Sequence, residues 1–182
     1  MTLSPRMTDA VLSLLADTVS DDVTRDSIRT ALISDDGKVL VATDGVSLVQ
    51  INLSEPLVTA NLGDRLDPDA ARKLLKAGKH PERKFVDLPF PDFARVIPGK
   101  VASTTDADGR YDANTAPSAG FDALLLARVL AGIGKIAKAA GWRQADVIFQ
   151  HSDGFTPARI DAEIFDGNIK VEIVAVVMPM RV

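Results

Sequence analysis

The sequence contains no cysteine in 182 residues, and that absence closes several functions at once. Disulfides, thiolate metal sites and cysteine nucleophiles are all excluded, and a reducing cytoplasm fits such a composition. Long apolar runs are missing too. The strongest, such as Ile173 to Met178, falls far short of the roughly 20 residues that cross a bilayer, so no membrane partner is expected. The start, Met1-Thr2-Leu3-Ser4-Pro5-Arg6, has no basic region followed by an apolar stretch, so no signal peptide is expected. Nor is there an excess of positive charge. A net charge of −4 argues against a general nucleic-acid-coating protein, because phosphate binding usually draws on a basic domain. A local basic surface remains compatible with it.

What is present reads as a globular protein. Hydrophobic residues make up 46% and charged residues 25%, and the length suffices for one core or two small ones. Ser4-Pro5 is a helix start, with serine as N-cap and proline at the first helical position. Met7, Val11, Leu14, Leu15 and Val19 then share one face of that helix. A hairpin pattern follows: a strand over 28–33, a turn at Asp35-Asp36-Gly37, and a strand over 39–42. Another strand, Val46 to Leu53, follows the Asp44-Gly45 turn. Asp67-Pro68 opens a short helix with Ala71, Leu74 and Leu75, ending at Gly78.

From Gly99 to Gly120 the chain turns to Ser, Thr, Asp, Gly, Ala and Pro, so a loop is expected over 99–118. It would separate segments 1–98 and 119–182, unless 1–182 is one compact domain. The longest helix is expected over 121–140, with Leu125, Val129, Ile133, Ile136 and Ala140 on its buried face and Arg128, Lys135 and Lys138 exposed. Strands near 145–150, 158–163 and 169–178 complete an α+β fold with helices packed on antiparallel sheet.

Three strings stand out: Ala42-Thr43-Asp44-Gly45-Val46-Ser47-Leu48, Phe90-Pro91-Asp92-Phe93-Ala94-Arg95-Val96-Ile97-Pro98, and the closing Val176-Val177-Met178-Pro179-Met180-Arg181-Val182. Together and in this order they resemble the bacterial DNA polymerase sliding clamp, the beta subunit of the replicase. Ser118-Ala119-Gly120-Phe121-Asp122 before the Leu-rich helix, and Phe155-Thr156-Pro157-Ala158-Arg159-Ile160, resemble further segments of that family. The chain is about half as long as such a subunit. The resemblance implies a DNA-clamp-like fold, no enzymatic activity and no cofactor. It implies a pocket for short hydrophobic clamp-binding motifs of DNA polymerases or repair proteins, and contact with double-stranded DNA as a homo-oligomer.

In that reading Thr43, Gly45 and Leu48 form one wall, and Pro91, Arg95 and Val96 a second. Val177, Met178, Pro179 and Met180 form the floor, with Arg181 and Val182 at the rim. Apolar walls with few polar groups suit a linear motif, and methionine suits varied apolar anchors. Val46 and Ser47 stand where the resembled family often has histidine and arginine. The plain alternative for the last string is an edge strand of the core, ended by its proline.

Arg72, Lys73 and Lys76 with Arg128, Lys135 and Lys138 would face DNA phosphates; the plain alternative is a solvated helix face. The first helix adds Asp9 and Asp17 against a single Arg6. His80 and His151 lack a nucleophile or carboxylate pattern, and Asp21, Asp22, Asp26, Asp35 and Asp36 fall in turns that favour aspartate. Gly132 and Gly134 make no phosphate loop, since neither a preceding strand nor G-K-[ST] accompanies them. Two other functions stay open: a clamp-fold interaction or regulatory protein without DNA binding, and a small metal-dependent hydrolase or nuclease.

Overall fold

In a computed structural model of the chain, residues 3–57, 65–77, 83–84, 89–99, 120–151 and 156–180 are described. Helix α1 (Pro5–Ala16) starts as its sequence dictates: Ser4 Oγ accepts the Met7 N–H at 3.3 Å, and Pro5 occupies the first turn. Strands β1 (Ala31–Ile33), β2 (Val39–Thr43) and β3 (Ser47–Leu53) follow, then β4 (Arg65–Leu66), α2 (Pro68–Lys76) and β5 (Arg83–Lys84). The second half holds α3 (Ala123–Ala139), β6 (Val147–Gln150), β7 (Ala158–Asp166) and β8 (Ile169–Val177). Among the described residues no helix is long and apolar enough to cross a membrane.

The strands of the described residues join one antiparallel sheet in the order β5-β4-β1-β2-β3-β8-β7-β6. The seam between the halves is β3 against β8, running from Ser47 opposite Val177 to Leu53 opposite Val171. Strand β8 therefore lies inside the sheet with β7 on its other side, not at an edge.

Alternation along the strands sorts the side chains into two layers. Val49, Ile51, Val171, Ile173, Ala175 and Val177 face the helices and pack with Met7, Val11, Leu14 and Leu15 of α1 and Val129, Ile133 and Ile136 of α3. Each of these burials other than that of Ala175 contributes about 1.5–3 kcal/mol. On the other face, Val41, Leu48 and Val176 form a small cluster covered by Phe90, Phe93 and Ile97. This second cluster roofs the region where the candidate site lies.

Several boundaries differ from expectation. The first strand begins at Ala31, because Asp26–Ile28 forms a 3-10 turn that carries Ile28 to the outer face. Helix α3 begins at Ala123: Phe121 is bridged to Pro179, and Asp122 caps the helix by accepting the Leu124 and Leu125 N–H groups. Leu125 is half-buried, and Arg128 is drawn inward rather than exposed. Apart from Gly99, the 99–118 loop lies outside the described residues.

Candidate functional site

The β2–β3 turn is built by short-range chemistry that its sequence encodes. Asp44 Oδ1 accepts the Val46 N–H at 3.0 Å, the Ser47 N–H at 2.7 Å and the Ser47 hydroxyl at 3.1 Å. Thr43 Oγ1 donates to the Ser47 carbonyl at 2.6 Å and accepts the Gly45 N–H at 3.1 Å. Gly45 has φ of 92°, a left-handed conformation that glycine alone adopts without strain. A Cβ there would also meet the Arg25 guanidinium at 2.6 Å. Arg25 in turn donates to the Asp44 carbonyl at 3.2 Å.

The segment from Phe90 to Pro98 crosses the outer face of the sheet and is held at both ends by arginines. The Arg65 guanidinium lies 4.7 Å from the Phe90 ring centroid, and Arg159 donates to the Pro98 carbonyl at 2.8 Å. Between them, Phe93–Arg95 forms a 3-10 turn, with the Phe93 ring edge-on to Phe90 at 6.3 Å. The end of β8 supplies the third element. Its Met178 N–H donates to the Val46 carbonyl at 3.0 Å, tying the closing segment to the turn.

These three elements enclose a concavity of about 220 Å³, lined on its three sides by Thr43, Gly45 and Leu48, by Pro91, Phe93 and Val96, and by Val176 and Met178. That volume is below the range of drug-sized pockets and suits one or two apolar side chains. Its lining is almost wholly apolar because the turn hydroxyls of Thr43 and Ser47 are committed to neighbouring groups. A larger trough of about 520 Å³ lies along β6, β7 and β8, but Asp146, Asp161, Glu163 and Glu172 give it a charge hostile to phosphate.

Of the residues singled out in the sequence, Thr43, Gly45, Leu48, Pro91, Val96 and Met178 line the concavity. Val177 does not: it is fully buried on the helix side, and its neighbour Val176 takes the outer face. Arg95 points to solvent, 86% exposed, and pairs with Asp92 at 2.9 Å. Pro179 bridges Phe121, and the Met180 N–H donates to the Gly120 carbonyl while the Met180 side chain stays exposed. Arg181 and Val182 lie outside the described residues. Ile28, Val46, Ser47, Phe93 and Val176 were missed as lining; β-strand parity marks Val176, whereas Ile28 carries no local signal.

The six basic candidates divide. Arg72 pairs with Asp9 at 3.0 Å and Lys135 with Asp17 at 3.4 Å, so α1 supplies its neighbours' counter-charges. Arg128 is engaged through Nη2 by Asp44 and Ser47 and is half-buried, a correction to its expected exposure. Lys73, Lys76 and Lys138 are exposed, without an ion pair among the described residues. His80 lies outside the described residues, while His151 packs edge-on against Phe121 and Phe149 at 6.2 and 6.0 Å. Among the described residues no group of three acidic or histidine side chains is arranged to hold a metal.

With its helices on one face of a sheet whose two halves meet at β3 and β8, the chain has a fold similar to that of the bacterial DNA polymerase sliding clamps. The chain superposes on a DNA polymerase sliding clamp from Pseudomonas aeruginosa with a TM-score of 0.60 at 19% identity, over 96% of its own length. It superposes on an H. pylori beta clamp, in complex with diflunisal, with a TM-score of 0.66 at 14% identity over its full length. A DNA polymerase III subunit beta from Pseudomonas aeruginosa gives 0.59 at 18% identity over 96%. In each case the chain spans 65% of the clamp's length, rather than the half that the sequence suggested. The sequence matches no protein-family model and no curated protein.

Proposed function

We propose that this chain is a non-enzymatic, sliding-clamp-like protein that captures short hydrophobic segments of DNA replication or repair proteins. The carrying observation is the convergence of three distant segments, 43–48, 91–96 and 176–178, on one small apolar concavity. Nothing local requires those strings to coexist; a common site explains them together. The occupant would insert one or two apolar side chains, with Met178 adapting to their shape. Affinity would be on the order of micromolar, since few side chains are anchored and the ordering of the peptide opposes binding. Contact with duplex DNA through Lys73, Lys76 and Lys138, as a homo-oligomer in the cytoplasm, forms the second part of this reading. Fluorescence anisotropy with a labelled peptide of the glutamine-leucine-phenylalanine type tests the first part. Saturable binding that Met178→Glu abolishes is expected; no binding by the folded wild type would overturn it.

A further inference from the structure

The turn that forms one wall of the concavity is gripped from the opposite side of the molecule. Arg128 belongs to α3 in the helix layer, whereas Leu48 and Val176 of the concavity lie on the other face of the sheet. Its Nη2 reaches around the end of β3 to the Asp44 carboxylate and donates to Ser47 Oγ at 2.8 Å. Its Nε is buried without a hydrogen-bond partner, so the hold is concentrated in that one nitrogen. Asp44 already organises the turn through the Val46 and Ser47 amides, and the Val46 carbonyl holds the Met178 N–H. A continuous chain of contacts therefore runs from α3 to two walls of the concavity.

We propose that Arg128 is a positioning residue for the concavity: by gripping Asp44 and Ser47 from α3 it fixes the turn and, through Val46, the Met178 wall. The assignment rests on the peptide-binding reading for its purpose, but its geometry stands apart from it. Arg128 falls on a helix face where basic residues would pass for solvated charges or phosphate ligands. Its partner lies 84 residues away in sequence. Without the grip, the turn would keep its own aspartate and glycine chemistry but lose its fixed register against α3.

The charge of Asp44 makes the grip testable. The groups facing Asp44 are Arg128 from α3 and Arg25, whose guanidinium lies at the carbonyl of Asp44 and 3.9 Å from Asp22. Burial pushes the Asp44 carboxyl upward, yet hydrogen bonds from Arg128 and from the Ser47 and Val46 amides outweigh it and hold it below its ordinary 3.8. A depressed carboxylate stabilises fully above its ordinary value, and that contribution is lost as pH falls through the folded value. With Arg128 removed, its hydrogen bond and its charge no longer offset burial, and the same loss moves to higher pH.

Two measurements on the full chain decide the matter. In Arg128→Gln, amide hydrogen exchange at Val46, Ser47 and Met178 should quicken about tenfold, the scale of coupling that a contiguous hydrogen-bonded network carries. Exchange in the α1 core should not change. The affinity for the labelled peptide should fall by a similar factor, and Arg128→Lys should recover part of both. The variant should also lose turn protection at a higher pH than the wild type. Unchanged exchange at Val46 and Ser47 in Arg128→Gln would overturn the proposal. Changed exchange, with no peptide binding by the wild type, would instead sink the peptide reading and leave the grip standing.

Discussion

Val176 and Val177 are consecutive residues of β8 that serve opposite faces of the sheet: the first lines the concavity, the second is sealed in the core under the helices. The closing string therefore serves the concavity and the core in alternation, and the two roles separate by mutation. Val177→Ala removes two buried carbon groups and leaves a cavity, so stability should fall by about 2 kcal/mol. Peptide affinity measured well below the melting transition should stay within twofold. Met178 is 40% exposed, so Met178→Ala should change stability by less than about 0.5 kcal/mol. It should nonetheless weaken peptide binding roughly tenfold. Chemical denaturation and anisotropy on the same two variants check the contrast, and equal effects of both on binding would contradict it.

Much of this was legible in the sequence because the signals are local. Ser4-Pro5 caps a helix through a contact three residues long, and Asp44-Gly45 encodes its own turn, whereas the equally local Asp122 cap was passed over and the helix expected from Phe121. The strings lining the concavity were visible as strings. What stayed hidden depends on register and on distance. The choice of Val176 over Val177 follows from the alternation of β8, where Lys170 and Glu172 share the face of Val176, but only if the strand runs unbroken through residue 177. Arg65 is fully buried under Phe90, and no local pattern marks an arginine for burial. Arg128 and Arg95 were read by type alone. One proved to be a tie between layers, the other a solvated partner of Asp92.

The glycines of α3 offer a second test with opposite signs at neighbouring positions. A Cβ on Gly132 would lie 2.4 Å from Leu14 Cδ1 and 3.2 Å from its Cγ, where α3 crosses α1. Nothing stands within 4 Å of the corresponding position on Gly134. Alanine gains about 1 kcal/mol over glycine inside a helix, whereas overpacking a core costs about 1–3 kcal/mol. Leu14 is fully buried and has little room to yield. Gly132→Ala should therefore destabilise by about 1 kcal/mol and Gly134→Ala stabilise by about 0.5–1 kcal/mol. Urea midpoints for the two variants read the difference directly.

Arg159 holds the far end of the crossing segment. Besides the Pro98 carbonyl, it grips Asp161 through Nε and Nη2 at 2.8 Å each, and both side chains are largely buried. Arg159→Gln would leave Asp161 half-desolvated without its cation and release the Pro98 carbonyl. A stability loss of about 2 kcal/mol is expected from these two effects. The Val96 amide, which donates to the Phe93 carbonyl at 3.1 Å, should exchange faster because its turn is no longer tethered. A stable variant with unchanged exchange at Val96 would show that the wall stands without this anchor.

The helix layer sets the terms for any contact with DNA. With Arg72 and Lys135 paired to Asp9 and Asp17, and Arg128 turned toward Asp44, three of the six basic candidates remain free: Lys73, Lys76 and Lys138. Neutralising about three phosphates gives a slope of log affinity against log salt of about −2.7, or about fortyfold between 50 and 200 mM. Asp9→Asn and Asp17→Asn would return Arg72 and Lys135 to the surface. Exposed pairs of this kind are worth up to about 1 kcal/mol, so each change should tighten duplex binding roughly threefold and steepen the slope by about one. Anisotropy of a labelled duplex across that salt range measures both quantities. A slope near zero in the wild type that the two substitutions leave unchanged would remove DNA from the functional reading, with the peptide concavity on the other face unaffected.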